Sequence, residues 1–246
     1  MTRQQALQVA KPILFNTDMV RAILNGRKTV TRRVIKFDKE DLSECRFVEM
    51  SIDPAETRIA KDGTEYPHDL KGLYATFEDD NSFFPLVKAP YQIGDILYVR
   101  ETWAYQYCWE CEQQNIEDEC DFEKHRFKSA PFGEYGCYKF PTEHDEPVDH
   151  QWHPSIHMPK EAARIFLRVT DVRVERLQDI TIQGLQDEGI LLQGYISQYA
   201  ALTTDVFEPF KELWNSTVKK SDLEKYGWEA NPWVWVIEFE RVGATK

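Results

Sequence analysis

The chain has 246 residues, of which 42% are hydrophobic and 29% are charged, and its formal net charge is −12. This length is sufficient for a buried core, and no apolar run reaches the ~20 residues that a membrane span requires. The acidity excludes a protein that holds long nucleic acid over a broad basic face, although a local basic pocket remains compatible with it.

The chain begins with residues 1–10, which we interpret as a loose leader. They lack the apolar region of a signal peptide, so we expect a cytoplasmic protein with no membrane partner. Residues 11–15 form an apolar run that predicts a strand. A helix is predicted over 18–25, because Thr17 is a favourable N-cap residue and Gly26 stands where a C′ glycine belongs.

The β-branched residues of 28–35 predict the next strand. The polar and irregular residues 36–90 that follow are interpreted as an insertion of loops with a short hairpin. A glycine turn then leads into a strand within 91–103. Residues 104–152 form a second insertion, in which twelve acidic and four basic residues give a net charge of −8.

The last third of the chain contains the clearest strand signals. Alternation over 164–177 predicts one long strand, or two strands with a bend. Thr181 caps a short helix that Gly189 ends, a proline opens another helix, and 233–242 forms the closing strand. Because the order contains few strand–helix–strand crossovers, it predicts an α+β fold with a small β-barrel flanked by helices.

Four short motifs occur in an order that resembles the ASCH domain, a relative of the PUA fold that is associated with RNA. They are G-R-K-T-V-T-R-R at 26–33, I-G-D-I-L-Y-V at 93–99, D-E-G-I at 187–190 and V-W-V-I-E-F-E at 234–240. W-H-P-S-I-H-M-P-K at 152–160 further resembles phage and prophage ASCH proteins. The resemblance implies a single PUA-like domain over 11–242 that carries the two insertions.

One branch of the ASCH family is a group of amidohydrolases that convert 4-acetylcytidine to cytidine and acetate. Their motif G-x-K-T-x-T-x-R, with a glutamate on a later helix, is matched here. The resemblance implies Lys28 as the proton acceptor, Thr31 as the nucleophile and Glu188 as the proton donor, with Arg33 on the family's arginine. Amide hydrolysis needs these roles, and a lysine acts as a base only when neighbouring cations and burial lower its pKa.

Strand geometry raises a difficulty for this site. In a regular strand Lys28 and Thr31 point to opposite faces, because the side-chain period is two. They converge only if Lys28 still belongs to the turn after Gly26 or if a bulge intervenes, so we predict such an irregularity. The alternative interpretation is a solvated row of cations beside a strand, with Glu188 as an exposed acid near a helix end.

Further side chains are candidates for substrate binding. They are Arg32, Arg33, Arg100, Glu101, Trp103 and His157. Trp103 can stack on a base, whereas the alternative is a surface pair of Arg100 and Glu101 beside a core tryptophan. His157 either lines the pocket or belongs to a rigid loop bounded by prolines.

The second insertion holds four of the five cysteines. Cys108, Cys111, Cys120 and Cys137 have a spacing that is compatible with a structural zinc site. The alternative is a set of buried thiols. No cofactor is expected to be needed for catalysis.

Three function classes remain open. The first is an amidohydrolase that acts on a modified nucleoside or an exposed RNA base. The second is a non-catalytic RNA-binding or nucleotide-binding module, and the third is an acidic phage adaptor that binds a host protein through 104–152. The negative charge of the chain favours a small substrate over long RNA.

Overall fold

The structure is a computed structural model that describes residues 2–36, 42–59, 65–79, 86–107, 125–127, 136–141, 152–192 and 205–243. The helices are α1 (Arg3–Val9), α2 (Thr17–Leu24), α3 (Ile182–Asp187), α4 (Glu208–Thr217) and α5 (Leu223–Tyr226). The strands are β1 (Lys11–Leu14), β2 (Val30–Val34), β3 (Arg46–Ile52), β4 (Ala55–Ile59), β5 (Glu65–Asp69), β6 (Leu73–Glu78), β7 (Leu86–Lys88), β8 (Ile96–Arg100), β9 (Ala104–Tyr107), β10 (His125–Phe127), β11 (Gly136–Lys139), β12 (Phe166–Arg176) and β13 (Trp233–Arg241). None of the described helices has the length and apolar character that a membrane crossing needs.

The chain divides into two compact units. The first unit comprises Met1–Gly26, Asp95–Arg168 and Glu240–Lys246, and the second comprises Arg27–Gly94 and Val169–Phe239. The predicted long strand over 164–177 is the single strand β12, which belongs to the first unit at its start and to the second unit beyond Arg168.

The first unit contains two small sheets and helices α1 and α2. β1 pairs in parallel with β8, and β8 pairs antiparallel with the start of β12. β9, β11 and β10 form a second, antiparallel sheet. Its core includes Ala6, Ile96, Tyr98, Tyr138, Met158 and Phe166.

The N-terminal residues differ from the loose leader that their polar sequence predicts. They form α1, which opens with a capping box between Thr2 and Gln5 and buries Ala6. Reciprocal capping satisfies backbone donors at a helix start, and this stabilises a short helix. The next helix, α2, is also capped one residue earlier than predicted, because the Asn16 side chain accepts a hydrogen bond from the Met19 amide.

The second unit is built on β12, β13 and β2 in that order. β13 pairs antiparallel with β2, so that Ile237 lies opposite Thr31 and Val236 lies opposite Arg32. Among the described strands, β2 has β13 as its one partner and is therefore an edge strand. The sheets of the described residues are open, so the α+β class is found but the predicted barrel closure is not.

Residues 36–90 are not the loop insertion that their composition predicts. They contain β3, β6 and β7 in one sheet and the β4–β5 hairpin in another. In β6, Leu73, Ala75 and Phe77 are buried on one face, and Phe77 packs against Phe47 and Trp233 with ring centroids 5.9 and 5.6 Å apart. The composition of residues 36–90 does not reveal this alternation of apolar and polar residues, because the strand is short and polar residues surround it.

Helices α3 and α4 cover β2 and β13 in the second unit. α3 begins at the predicted cap, where the Thr181 hydroxyl accepts a hydrogen bond from the Gly184 amide at 3.0 Å. α4 opens with a proline in its first turn and buries Phe210 and Trp214. The shared core includes Val30, Leu177, Leu185, Phe210, Trp214 and Val236, and it holds α3 against the start of β2.

Candidate active site

Glu188 is positioned by the way in which α3 ends. Gly189 adopts a left-handed φ of 88°, which costs glycine little because it has no Cβ. The Gly189 amide donates to the Gln186 carbonyl at 2.8 Å, and the Ile190 amide donates to the Leu185 carbonyl at 3.0 Å. This pair of bonds is a Schellman motif, and it fixes Glu188 as the C-cap residue that directly follows α3.

Lys28 is positioned by a second helix end. α2 is followed by Gly26 with a left-handed φ of 71°, and β2 does not begin until Val30. Lys28 lies between them in an isolated antiparallel bridge with Glu188. The predicted irregularity is therefore present, because Lys28 lies outside the regular strand.

The side chains of Lys28 and Glu188 form a buried ion pair. Lys28 Nζ lies 2.6 Å from Glu188 Oε2, 3.0 Å from the Glu188 carbonyl oxygen and 2.8 Å from the Val30 carbonyl oxygen. Lys28 is 2% exposed and Glu188 is 4% exposed. An ammonium group has three N–H donors, and these three oxygens accept all of them.

The environment shifts the protonation equilibrium of Lys28. Burial lowers the pKa of the Lys28 amine from its ordinary value of 10.5, Glu188 raises it, and Arg33 and Arg32 lower it further. The sequence predicts the effect of the arginines, whereas burial is the larger cause. Arg27 has a different role from the predicted crowding, since its guanidinium donates to the Gly189 carbonyl at 2.8 Å.

Arg32 connects the pair to further carboxylates. Its Nη1 lies 3.3 Å from Glu188 Oε1, and its Nη2 lies 3.2 Å from Glu175 Oε2. Glu175 also accepts a hydrogen bond from Arg173, which contacts Glu238. Cations and carboxylates thus alternate, and sequence reasoning missed Glu175 because its partner lies 143 residues away.

Thr31 and Arg33 lie on one face of β2, since successive side chains of a strand point to opposite faces. Thr31 is 2% exposed and Arg33 is half-buried. Burial lowers the pKa of Arg33, while Tyr91 and Glu188 raise it. The charge of Arg33 therefore acts on Lys28 and is acted on by Glu188. Arg32, which contacts Glu188, lies on the opposite face of β2 from Thr31.

A cleft of about 230 Å³ lies beside β2 and α4 in the second unit. Two predicted binding residues, Arg32 and Arg33, line it together with Lys36, Trp214 and Lys219. Sequence reasoning placed Trp214 on the apolar face of a helix and did not single out the two lysines. In the sequence, each lysine is marked only by its position shortly after an element: Lys36 follows β2, and Lys219 follows α4.

The other predicted binding residues belong to the first unit. Glu101 is 2% exposed and binds Arg164 through two hydrogen bonds of 3.0 and 2.7 Å, so its partner is not Arg100. Arg100 donates instead to the Met158 carbonyl. Trp103 forms a backbone bridge with His153, and their rings lie 4.7 Å apart. These contacts are those of a packed core.

His157 lies in an exposed single turn of 3₁₀-helix, Ser155–His157. The following residue, Met158, is 1% exposed and packs in the core of the first unit. The alternative interpretation, a loop bounded by prolines that packs Ile156 and Met158 inward, therefore holds for Met158 but not for Ile156, which is 54% exposed.

The predicted zinc ligands lie largely outside the described residues. This applies to Cys108, Cys111 and Cys120, whereas Cys137 lies in β11. Within the described ranges, no group of three or more His, Cys, Asp or Glu side chains is placed to hold a metal ion. Most of the acidic segment proposed to contact a host protein also lies outside the described part.

Comparisons of the chain with protein-family models, with curated proteins and with solved structures find no match. The candidate site is therefore defined by its own geometry: a buried lysine–glutamate pair, two arginines beside it, and a buried threonine on the adjoining strand.

Proposed function

We propose that this chain is an ASCH-like, PUA-related amidohydrolase that removes the acetyl group of 4-acetylcytidine or a similar acylated cytosine nucleoside. The observation that carries the proposal is the buried contact of 2.6 Å between Lys28 Nζ and Glu188 Oε2. It joins the two residues to which the family resemblance gives proton-transfer roles. The identity of the substrate is inferred from the resemblance of the sequence motif to that of the ASCH amidohydrolases.

The pair is suited to proton transfer within itself. An ammonium group has no lone pair, so Lys28 can act as a base only after it gives up a proton. Glu188 Oε2, 2.6 Å away, is the nearest acceptor, and burial lowers the pKa of the Lys28 amine, which favours its neutral form. One transfer then creates a neutral amine and a protonated carboxyl, which are the base and the acid that amide hydrolysis requires.

The proposed reaction has two halves. Lys28 takes the proton of the Thr31 hydroxyl as its oxygen attacks the acetyl carbonyl, and Glu188 protonates the departing cytosine amine. Arg32 or Arg33 stabilises the negative charge that develops on the carbonyl oxygen. Water then attacks the acetyl-threonine ester, one of its protons passes to Glu188, and Lys28 returns a proton to Thr31 as acetic acid leaves and ionises to acetate in the solvent.

The test is purified protein incubated with 4-acetylcytidine, with cytidine and acetate measured by chromatography. We expect turnover in the unchanged protein and its loss in Thr31→Ala, Lys28→Met and Glu188→Gln. Two neighbouring variants are matched controls. Thr29→Ala alters an exposed hydroxyl two residues from Thr31, and Asp187→Asn alters the adjacent carboxyl, which accepts a hydrogen bond from Gln183.

Turnover that survives in Thr31→Ala would refute the nucleophile, and absence of turnover in the unchanged protein would refute the hydrolase. Circular dichroism of each variant separates loss of chemistry from loss of fold. Trapping of the acetyl group on Thr31, seen by mass spectrometry after rapid quenching, is the direct positive result.

A second candidate is a nucleotide-binding module without chemistry. The basic cleft beside β2 favours it, because Arg32, Arg33, Lys36 and Lys219 line one small space in an otherwise acidic protein. We expect such a module to bind cytidine derivatives with no turnover. Its binding would be weakened by Arg33→Ala but not by Thr31→Ala.

A further inference from the structure

The cleft beside β2 has an unusual charge for this chain. Four of its lining residues are cations, namely Arg32, Arg33, Lys36 and Lys219, and no carboxylate of the described residues lines it. The chain as a whole carries a net charge of −12. A concave site of one sign concentrates counter-ions of the other sign, so the cleft is a site for an anion.

The cations of the cleft differ in what already neutralises them. Arg32 is buried and lies within ion-pair distance of Glu175 and Glu188. Lys36 approaches Asp222 only at the limit of 4.0 Å. Lys219 is exposed and forms no ion pair within the described residues. Two carboxylates therefore offset the charge of Arg32, whereas the described carboxylates offset little of the charge of Lys36 and Lys219. These two lysines form what we call the rim of the cleft.

The apolar side of the cleft is held in place by hydrogen bonds. Trp214 is 6% exposed, and its Nε1 donates to the Tyr226 carbonyl at 2.8 Å. The Thr217 hydroxyl donates to the Trp214 carbonyl at 2.7 Å. Lys36 Nζ lies 5.0 Å from the centre of the Tyr226 ring. The aromatic side chains of the cleft are thus held in place, and Lys36 and Lys219 beside them are exposed.

The size of the cleft limits what it can hold. Its volume of about 230 Å³ is below the ~300–1,000 Å³ typical of pockets that enclose a whole small ligand. It suits a fragment such as a phosphate with part of its sugar. Arg32 lines the cleft and also contacts Glu188, so the cleft lies next to the buried Lys28–Glu188 pair, which does not itself line it.

We propose that this cleft binds the phosphate group of a nucleoside monophosphate, with Lys36 and Lys219 as the principal contacts at its rim. This assignment rests on the proposed function for the other end of the ligand, and it names the substrate class as an acylated nucleotide instead of a free nucleoside. The small volume and the negative charge of the chain favour a mononucleotide over long RNA.

The first experiment measures binding and needs no turnover. Cytidine, cytidine 5′-monophosphate and inorganic phosphate are titrated into the full chain by calorimetry. We expect the nucleotide to bind about tenfold or more tightly than cytidine, because lysines form strong charge-assisted hydrogen bonds with phosphate. A tenfold change in affinity requires only a small difference in binding free energy. This preference disappears in a Lys36→Ala/Lys219→Ala variant and is retained in Lys220→Ala, an exposed neighbour that does not line the cleft.

Equal affinity for cytidine and its monophosphate would overturn the assignment, and so would a preference that survives the double variant. Inorganic phosphate that binds as tightly as the nucleotide would also overturn it, since the site would then serve free phosphate. Because both lysines are exposed, the double variant is expected to fold, and circular dichroism checks this.

A second measurement separates this assignment from the hydrolase. Turnover of 4-acetylcytidine is compared with turnover of its 5′-monophosphate, and we expect a lower KM for the phosphorylated substrate that is lost in Lys219→Glu. Hydrolysis with no preference for the phosphate overturns the cleft assignment and leaves the hydrolase standing. Nucleotide binding through Lys36 and Lys219 without any turnover supports the cleft and refutes the hydrolase.

Discussion

Among the described residues, each unit of this protein contains one buried carboxylate that is paired with a cation, and the two pairs differ in the chemistry of the cation. In the first unit, two nitrogens of Arg164 grip Glu101, and the guanidinium lies 4.3 Å from the centre of the Phe140 ring. In the second unit, the single amine of Lys28 contacts Glu188. A guanidinium keeps its proton in proteins, whereas a buried lysine can lose it.

Burial of an ion pair is therefore not by itself evidence that its residues take part in catalysis. In the Glu101–Arg164 pair, two hydrogen bonds fix the geometry and the guanidinium keeps its proton. In the second pair, burial lowers the pKa of the Lys28 amine, and Arg33 and Arg32 lower it further. This is the pair to which the proposed function gives proton transfer.

The largest expected effect comes from giving the second pair the chemistry of the first. Lys28→Arg retains a cation beside Glu188 but removes a base that can become neutral. We expect hydrolysis of 4-acetylcytidine to fall by about 10²–10⁴, the usual contribution of a positioned acid or base. The rate is measured by chromatography at saturating substrate. A rate within a factor of two of the unchanged protein would show that the amine is not the base.

Breaking the first pair tests stability in place of chemistry. Glu101→Gln leaves the buried Arg164 charge without its partner, and we expect the free energy of unfolding to fall by about 3–5 kcal/mol. Urea denaturation followed by fluorescence measures it. Replacing both partners with apolar residues of similar size should recover most of the loss, because no buried charge then remains. A single variant as stable as the parent would contradict the role of the pair.

The two pairs should also produce opposite pH dependences of stability. Burial raises the pKa of Glu101 above its ordinary value of 4.5, with Arg164 opposing the shift. Between 4.5 and that raised pKa the folded chain binds more protons than the unfolded chain, so stability falls as pH rises. The pKa of Lys28 is lowered below 10.5. Between that lowered pKa and 10.5 the unfolded chain binds more protons, so stability increases with pH.

Each slope is at most about 1.4 kcal/mol per pH unit for one proton. The measurement is a series of urea denaturation curves across the acid and alkaline windows. Glu101→Gln is expected to remove the acid slope alone, and Lys28→Met the alkaline slope alone. Slopes that persist in these variants would assign the titration to other groups.

The smallest expected effect compares two helix caps. Thr181→Ala removes the cap of α3, the helix that carries Glu188, and Thr2→Ala removes the cap of α1 in the other unit. Each should lower the free energy of unfolding by about 1 kcal/mol. Only Thr181→Ala should also raise the KM or lower the kcat for 4-acetylcytidine. Equal kinetic effects of both variants would show that the cap of α3 does not position the site.

The sequence was most informative where local chemistry decides the structure. Gly26 and Gly189 were recognisable as helix ends, Thr181 as a cap, and Lys28 as a residue that had to lie outside a regular strand, because each conclusion depends on neighbours a few positions away. The capping box of Thr2 and Gln5 carries the same kind of signal and was overlooked, since a polar N-terminal stretch resembles a loose end.

Tertiary partners were beyond that reach. Arg100 and Glu101 were expected to line the pocket or, alternatively, to pair with each other at the surface. The observed partner of Glu101 is Arg164, 63 residues away. The strands within 36–90 were missed for a related reason. Their apolar residues are buried by Phe47, Phe77 and Trp233, so that the burial depends on a residue from the far end of the chain.

The two glycines with left-handed backbones give the candidate site a consequence for changes in chain length. Gly26 precedes Lys28 by two positions, and Gly189 follows Glu188 directly. The position of each glycine therefore sets where along the backbone the side chain of Lys28 or of Glu188 is placed. One extra residue inserted beside Lys28 or Glu188 would shift the register of their bridge, so that the amine and the carboxyl no longer face each other. Insertions of the same size at surface turns elsewhere would leave the alignment of the two groups intact.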